Sequence, residues 1–455
     1  MRTDPSSSGV CRAPLQFLRL IALLLIASGI HSAAQAQPGV GPTIDRKTQA
    51  AIIDSVSAVL REEYVFPDVA RKMEELLRKN LKDGKYAETT DPAAFAEKLG
   101  EDLRSVSHDK HLQVQHFTSG PGGQAADSTP LQQRLRNLER LRAQNFGFRK
   151  VEILPGNIGY LDFRFFASAG DGGPTAIAAM NFLAHTDALI FDLRQNGGGN
   201  PSMIQLISSY LFEESVHLNS FYIRKGDSTQ QFWTQESVDG PKMTSVPVYV
   251  LTSSFTFSGA EEFAYNLKNL KRGTIIGEVT GGGAHPVQEH VFRSLSVAVN
   301  VPYGRAVNPI SGTNWEGVGV EPDLKVPADR ALLVARTEAV KTLIGKTEDG
   351  SKKKGLQWLL DGLAVESSSV TVPDSVLASC AGTYGPRSVR FESGALYYRR
   401  EGRPEFKLIP MGGDRFMVET LDYFRMQFRR DSSEKVTELV GQYDNGETDA
   451  NPRTR

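Results

Sequence analysis

Residues 248–267 read VYVLTSSFTFSGAEEFAYNL, and the reading of this stretch decides the architecture. VYVL is a short apolar run of the kind that forms a buried strand. TSSFTF is a polar turn in which four of the six residues carry hydroxyls. SGAEEFAYNL then reads as a helix start, with Ser258 at the N-cap and Glu261 and Glu262 in the first turn. A serine on such a strand–turn–helix corner presents its hydroxyl beside unpaired backbone N–H groups and the positive end of the helix dipole. Attack on a carbonyl needs that combination, a nucleophile next to fixed donors for the oxyanion. A serine that only caps an α/β crossover leaves the same local pattern, so the neighbouring segments must decide.

Upstream, IGYLDF from Ile158 reads as a strand, Thr175 to Leu183 as a helix, and ALIFDLR from Ala188 as a buried strand. The NGGG turn at Asn196 to Gly199 and a helix from Pro201 to Leu211 follow. Downstream come TIIGE from Thr274, the loop TGGGAHP from Thr280, a strand in SLSVAVNVPYG from Ser294, and a closing helix from Ala328 to Ile344. Strands alternating with helices predict a wound, mainly parallel sheet. The glycines of NGGG permit positive φ and a close backbone approach, so N–H groups can line a cavity there. A phosphate cradle would need GK[ST] or GxGxxG, which the loop lacks; a plain turn is the simpler alternative. In TGGGAHP, His285 is a candidate base or an exposed turn residue. In WEGVGVEPD, Glu316 sits between a tryptophan and a glycine, where partial desolvation can hold a carboxylate against a partner; a surface carboxylate is the alternative.

Three stretches with helical spacing, Thr43 to Arg61, Asp68 to Leu81 and Pro92 to Val106, predict a helical N-terminal domain over 43–116. It ends in SVSHDKHLQVQH, a polar corner running into a short strand. His108, His111 and His116 raise a metal site, but no HExxH pattern is present and none is expected. PGGQAADS at 121–128 reads as a surface segment. The α/β core is placed at 150–345, a linker at Glu366 to Pro373, and a small antiparallel β-domain at 375–443, with a disordered tail after Asn445.

The 455 residues are 40% hydrophobic and 23% charged, an ordinary soluble composition, and a net charge of −1 gives no argument for nucleic acid or an acidic membrane surface. Residues 1–36 read as a signal peptide: Arg12 and Arg19, the apolar core LIALLLIASGI from Leu20, and the small-residue site Ala34-Gln35-Ala36, leaving Gln37 as the mature start. An uncleaved anchor helix is the alternative. Cleavage removes Cys11 and leaves Cys380 alone, so no internal disulfide is expected. A periplasmic or secreted location follows, with no further membrane span.

ALIFDLRQNGGG, TSSFTFSGAEEFA, GTIIGEVTGGGAHP and WEGVGVEPD, in that order, resemble the tail-specific (C-terminal processing) serine peptidases over about Thr43 to Gly345. The resemblance points to the branch of the interphotoreceptor retinoid-binding protein modules and the tricorn core peptidase. It implies an α/β, ClpP/crotonase-like wound sheet core. It also implies Ser258 as nucleophile in an S-x-x-E pattern, His111 as base, Glu316 as its orienting carboxylate, and backbone N–H groups of Gly259 and Gly198 as oxyanion donors. The lysine base of the tail-specific branch falls at Gly283, and Lys110 stands where tricorn has a serine. No room exists between His116 and Val151 for a PDZ module. The implied function is hydrolysis of peptide bonds in unfolded or tail segments, with a peptide or protein substrate, no cofactor, and an oligomer left open. The alternative is a catalytically inactive binding module for an apolar small ligand or a protein partner.

Overall fold

The computed structural model describes residues 43–117, 129–368 and 370–455. The signal peptide and the 121–128 segment lie outside the described residues. No helix among the described residues is long and apolar enough to cross a membrane.

Three helices open the described chain: Arg46–Glu63, Pro67–Lys82 and Pro92–Ser107. Asp45 and Asp91 cap the first and third by accepting the N–H of Thr48 and Ala94, and prolines fill the first turn of the second and third. Their apolar faces, with Ile53, Val56, Leu60, Met73, Leu77, Phe95 and Leu99, do not close on themselves. They pack on Val114 and on Val297, Val299 and Val301, which come from far along the chain. Burying those three late valines contributes on the order of 5 kcal/mol, enough to fix the two regions together. Val297–Pro302 pairs antiparallel with Gln113–His116 on one side and Val287–Phe292 on the other, Gln113 facing Asn300.

The central sheet has six strands in the order Leu324–Lys325, Thr274–Gly277, Val248–Thr252, Ala188–Asp192, Ile158–Phe163 and Phe148–Leu154. The first five run parallel, and Phe148–Leu154 adds an antiparallel edge. Both faces are covered, which is why these strands read as unbroken apolar runs. Leu189, Phe191, Val248 and Val250 point to helices Ala169–Phe182, Pro201–Ser209 and Gly259–Asn269. Ala188, Ile190, Tyr249 and Leu251 point to helices Ala331–Lys346 and Gly350–Ser367.

The expected ClpP/crotonase-like wound sheet is corrected by two features. The strand in SLSVAVNVPYG does not join the central sheet; it belongs to the antiparallel sheet under the N-terminal helices. A third sheet, Gly304–Val307, His217–Ile223 and Ser228–Trp233, is also antiparallel and separate. The C-terminal part is an eight-stranded antiparallel meander in which each strand pairs with the next. It comes back on itself: Thr383 donates to the Arg455 carbonyl at 3.0 Å, and Thr454 donates to the Thr383 carbonyl at 2.8 Å. The expected small antiparallel β-domain is a near-closed β-barrel. The segment after Asn445, expected to be without structure, supplies its last strand, Thr448–Pro452.

Candidate active site

Ser258 sits between strand Val248–Thr252 and helix Gly259–Asn269 with φ 55° and ψ −122°. A non-glycine residue there is strained by about 1–3 kcal/mol, so its surroundings must hold it. The turn before it is wired by its own hydroxyls. Ser253 Oγ donates to the Arg194 carbonyl at 2.6 Å, and Thr256 Oγ1 to the Leu193 carbonyl at 2.8 Å. Buried Glu261 does the rest. Its carboxylate accepts the N–H of Ser258 at 2.8 Å, of Gly282 at 2.6 Å and of Gly283 at 2.9 Å, together with the Thr280 hydroxyl. The glutamate of S-x-x-E therefore ties the serine corner to the TGGGAHP loop. Burial raises its pKa against the pull of these donors.

The NGGG turn backs onto the same corner. Gly198, at φ 103°, leaves so little room that a Cβ on it would lie 2.7 Å from both the Gly259 nitrogen and Ser258 Cβ. Glycine at this position keeps the Gly259 N–H, an orphan donor of the first helical turn, open to approach. The Gly198 N–H itself donates to Asn196 Oδ1 at 2.9 Å, while the Gly199 N–H has no partner among the described residues.

Ser258, Gly199, Gly259, Glu262 and His285 line one cavity of about 300 Å³. His285 is 5% exposed and its Nδ1 lies 2.6 Å from Asp109 Oδ2. Glu316 Oε2 lies 3.6 Å from the same nitrogen and accepts the Ala284 N–H at 2.5 Å. Trp315 Nε1, beside Glu316, donates to the Gly283 carbonyl at 2.7 Å and locks WEGVG onto the glycine loop. Burial pulls the His285 pKa down, but Asp109 and then Glu316 outweigh it, and the net direction is up. Burial pushes Glu316 up to about 7, His285 opposing and Asp109 adding to the shift. Asp109, His285 and Glu316 offer ligand atoms within 4.8 Å of one another, so this trio, not His108, His111 and His116, is the set with metal-ligand spacing among the described residues.

The chain is matched by the model of peptidase family S41 over residues 157–326, and by that of the N-terminal domain of Peptidase_S41 in eukaryotic IRBP over residues 45–154. The chain belongs to peptidase family S41. Its fold is that of an S41 peptidase carrying a near-closed barrel, which replaces the ClpP/crotonase-like class. It is 31% identical over 163 residues to the chloroplastic C-terminal processing peptidase of Tetradesmus obliquus, covering 34% of this chain and 32% of the relative. It is 29% identical over 143 residues to the tricorn protease of Thermoplasma volcanium, covering 31% of this chain and 13% of the relative. The matched region thus spans a third or less of these relatives' length. A solved lipoprotein from Streptococcus agalactiae aligns with a TM-score of 0.44 at 15% identity, over 65% of this chain and 96% of the lipoprotein.

Within this S41 chain, Ser258, Gly259 and Gly198 are in direct contact, whereas His111 and Glu316 share no hydrogen bond. His111 is buried against Phe257, ring centroids 4.6 Å apart, and neither ring nitrogen has a hydrogen-bond partner among the described residues. Its Nδ1 is 3.9 Å from Asp109 Oδ1. Burial lowers its pKa to about 4, with Asp109 opposing and His285 adding to the shift. Lys110 reaches away to the Gly281 carbonyl at 2.5 Å. Lys268 Nζ is held by the Glu321 carbonyl and Asp323. Asp109 and Glu261 are the groups that sequence patterning passed over: the first looked like part of a polar corner, the second like an ordinary first-turn acid.

Proposed function

We propose that this chain is an exported serine peptidase, periplasmic or secreted, that hydrolyses peptide bonds in unfolded or tail segments with Ser258 as nucleophile. The observation that carries the reading is that Ser258 and His285 open into one cavity while Asp109 occupies the far nitrogen of the imidazole. An Nδ1–H held by a carboxylate leaves Nε2 as the proton acceptor. His285 takes the proton of Ser258 as Oγ attacks the carbonyl carbon, and later returns it to the leaving amine. Asp109 fixes the ring and steadies its positive charge, with Glu316 on the second side. The Gly259 N–H receives the oxyanion in the space that Gly198 keeps open, with the adjoining glycine backbone as the second donor; loss of one donor costs about 3 kcal/mol in the barrier. Water then resolves the acyl-enzyme.

A second reading keeps His111 as the base with Glu316 as its partner. Its support is the packing of His111 on the residue next to Ser258 and the two bare ring nitrogens. Both readings share the serine. Ser258→Ala is expected to abolish cleavage of an unstructured peptide pool and labelling by a serine-directed phosphonate, with unchanged circular dichroism. Wild-type protein that neither cleaves the pool nor takes the label would turn the assignment to the inactive binding module.

A further inference from the structure

Strands Arg387–Glu392 and Ala395–Arg400 form one wall of the C-terminal barrel, and their pairing sets Arg387 directly opposite Arg400. Like charges facing each other across a ladder are destabilising unless something lies between them. Arg403, in the turn that follows, brings a third guanidinium to the same cavity of about 340 Å³. Its other walls include Tyr398, Phe424 and Tyr443.

Arg387 is the informative residue. It is 1% exposed, lies over the Phe424 ring at 5.0 Å, and is permanently charged. One nitrogen, Nη2, donates to Asp449 Oδ2 at 2.5 Å and to the Tyr443 hydroxyl at 3.2 Å. Nε and Nη1 are buried without a partner among the described residues. Buried donors of a cation are costly to leave unpaired and call for a partner such as a bound ion; Asp449 Oδ1 is likewise without one among the described residues. Three guanidiniums converge on the cavity, and Asp449 is paired with one of them. The other walls are aromatic or apolar, and a near-closed eight-stranded barrel is of a size to hold one small ligand in its mouth.

We propose that the mouth of the C-terminal barrel binds a small amphipathic anion, with a carboxylate or phosphate head on Arg387, Arg400 and Arg403 and an apolar body among Tyr398, Phe424 and Tyr443. A planar carboxylate matches the guanidinium fork with two oxygens, and a phosphate offers the same acceptors with more charge. The site does not depend on the peptidase reading, because none of its residues lines the Ser258 cavity.

Isothermal titration of the full chain with octanoate, octyl phosphate, octanol and inorganic phosphate tests the assignment. Octanoate or octyl phosphate is expected to bind at least about tenfold more tightly than octanol, the difference that one charge-assisted hydrogen bond makes. The better of the two heads identifies the source class. Arg400→Gln with Arg403→Gln, both at exposed positions, is expected to weaken the anion about tenfold or more without altering octanol binding. Arg387→Lys keeps the charge and removes the fork, and is expected to weaken octanoate more than octyl phosphate. Affinity for octanol equal to that for the better of the two anions, an unchanged affinity in the double variant, or no binding of either anion overturns the proposal. Ser258→Ala is expected to bind the anion as the wild type does, so failure of the peptidase reading leaves this result standing.

Discussion

His285 Nδ1 donates to Asp109 Oδ2 across 2.6 Å, joining a loop of the α/β core to the corner that ends the N-terminal helices 176 residues earlier. The contact exists because strand Gln113–His116 is built into the sheet of Val297–Pro302. That pairing carries Asp109 to the TGGGAHP loop. It also sets the end of the N-terminal helices against the loop that carries His285.

Asp109→Asn removes the charge that orients and stabilises the His285 ring while keeping the shape of the side chain. If His285 is the base, kcat falls by about 10³–10⁴ with little change in KM, as for a triad that has lost its carboxylate. Steady-state kinetics on a fluorogenic peptide would check this. A loss below tenfold in Asp109→Asn, together with inactivity of His111→Ala, transfers the base to His111.

The two imidazoles also differ in the pH range they impose. A base must be neutral to accept a proton. The Asp109 and Glu316 carboxylates overcome the effect of burial at His285 and raise its pKa above 6.5, so activity through His285 climbs with pH and has its half-point above 6.5. His111 is lowered to about 4, and activity through it persists to about that pH. A kcat/KM profile from pH 4 to 9, in buffers of constant ionic strength, separates the two.

Gly198→Ala is expected to lower kcat by at least about 10², because the new methyl group enters the space before the Gly259 N–H. The φ of 103° adds a folding penalty of about 1 kcal/mol or more. Thermal melting measures that penalty separately from the loss of turnover. Activity retained within threefold would remove Gly198 and Gly259 from the oxyanion site.

The serine corner was legible because its signals are local. An apolar strand, a hydroxyl-rich turn and an acidic first turn occupy twenty consecutive residues. The glycine of NGGG at the serine was legible for the same reason, through the close approach that glycine alone permits. The strand in SLSVAVNVPYG was recognisable as a strand, but its partner was not, because apolar alternation says nothing about which of several sheets will accept it. Helix Gly350–Ser367 was missed where GSKKKG offers no apolar period at its start. The barrel closure was missed because Thr448–Pro452 is polar and its pairing is entirely backbone. His285 looked like an exposed turn residue. Its burial depends on Phe66, Asp109 and Glu316, each supplied by a distant segment.

Glu262 gives a prediction about stability. It is 3% exposed beneath the Ser258 cavity, and burial pushes its carboxyl up to about 7, against the nearby Asn219 and Asn266 carboxamides. The folded pKa lies above the ordinary carboxyl value of 4.5, so the folded state holds this proton more tightly than the unfolded chain does. The resulting stability is fully present below pH 4.5 and is lost as the pH rises through about 7. Glu262→Gln removes the ionisation while keeping the volume and a polar head. The variant is expected to match the wild type near pH 4.5 and to exceed it at pH 8 by on the order of 2 kcal/mol. Urea unfolding at the two pH values measures the difference. Glu261 and Glu316, whose pKa values are also raised, are the same in both proteins and cancel to first order in the comparison. An equal gap at both pH values would mean that Glu262 is ionised in the folded chain, and that its carboxylate is held by charge pairing rather than kept neutral by burial.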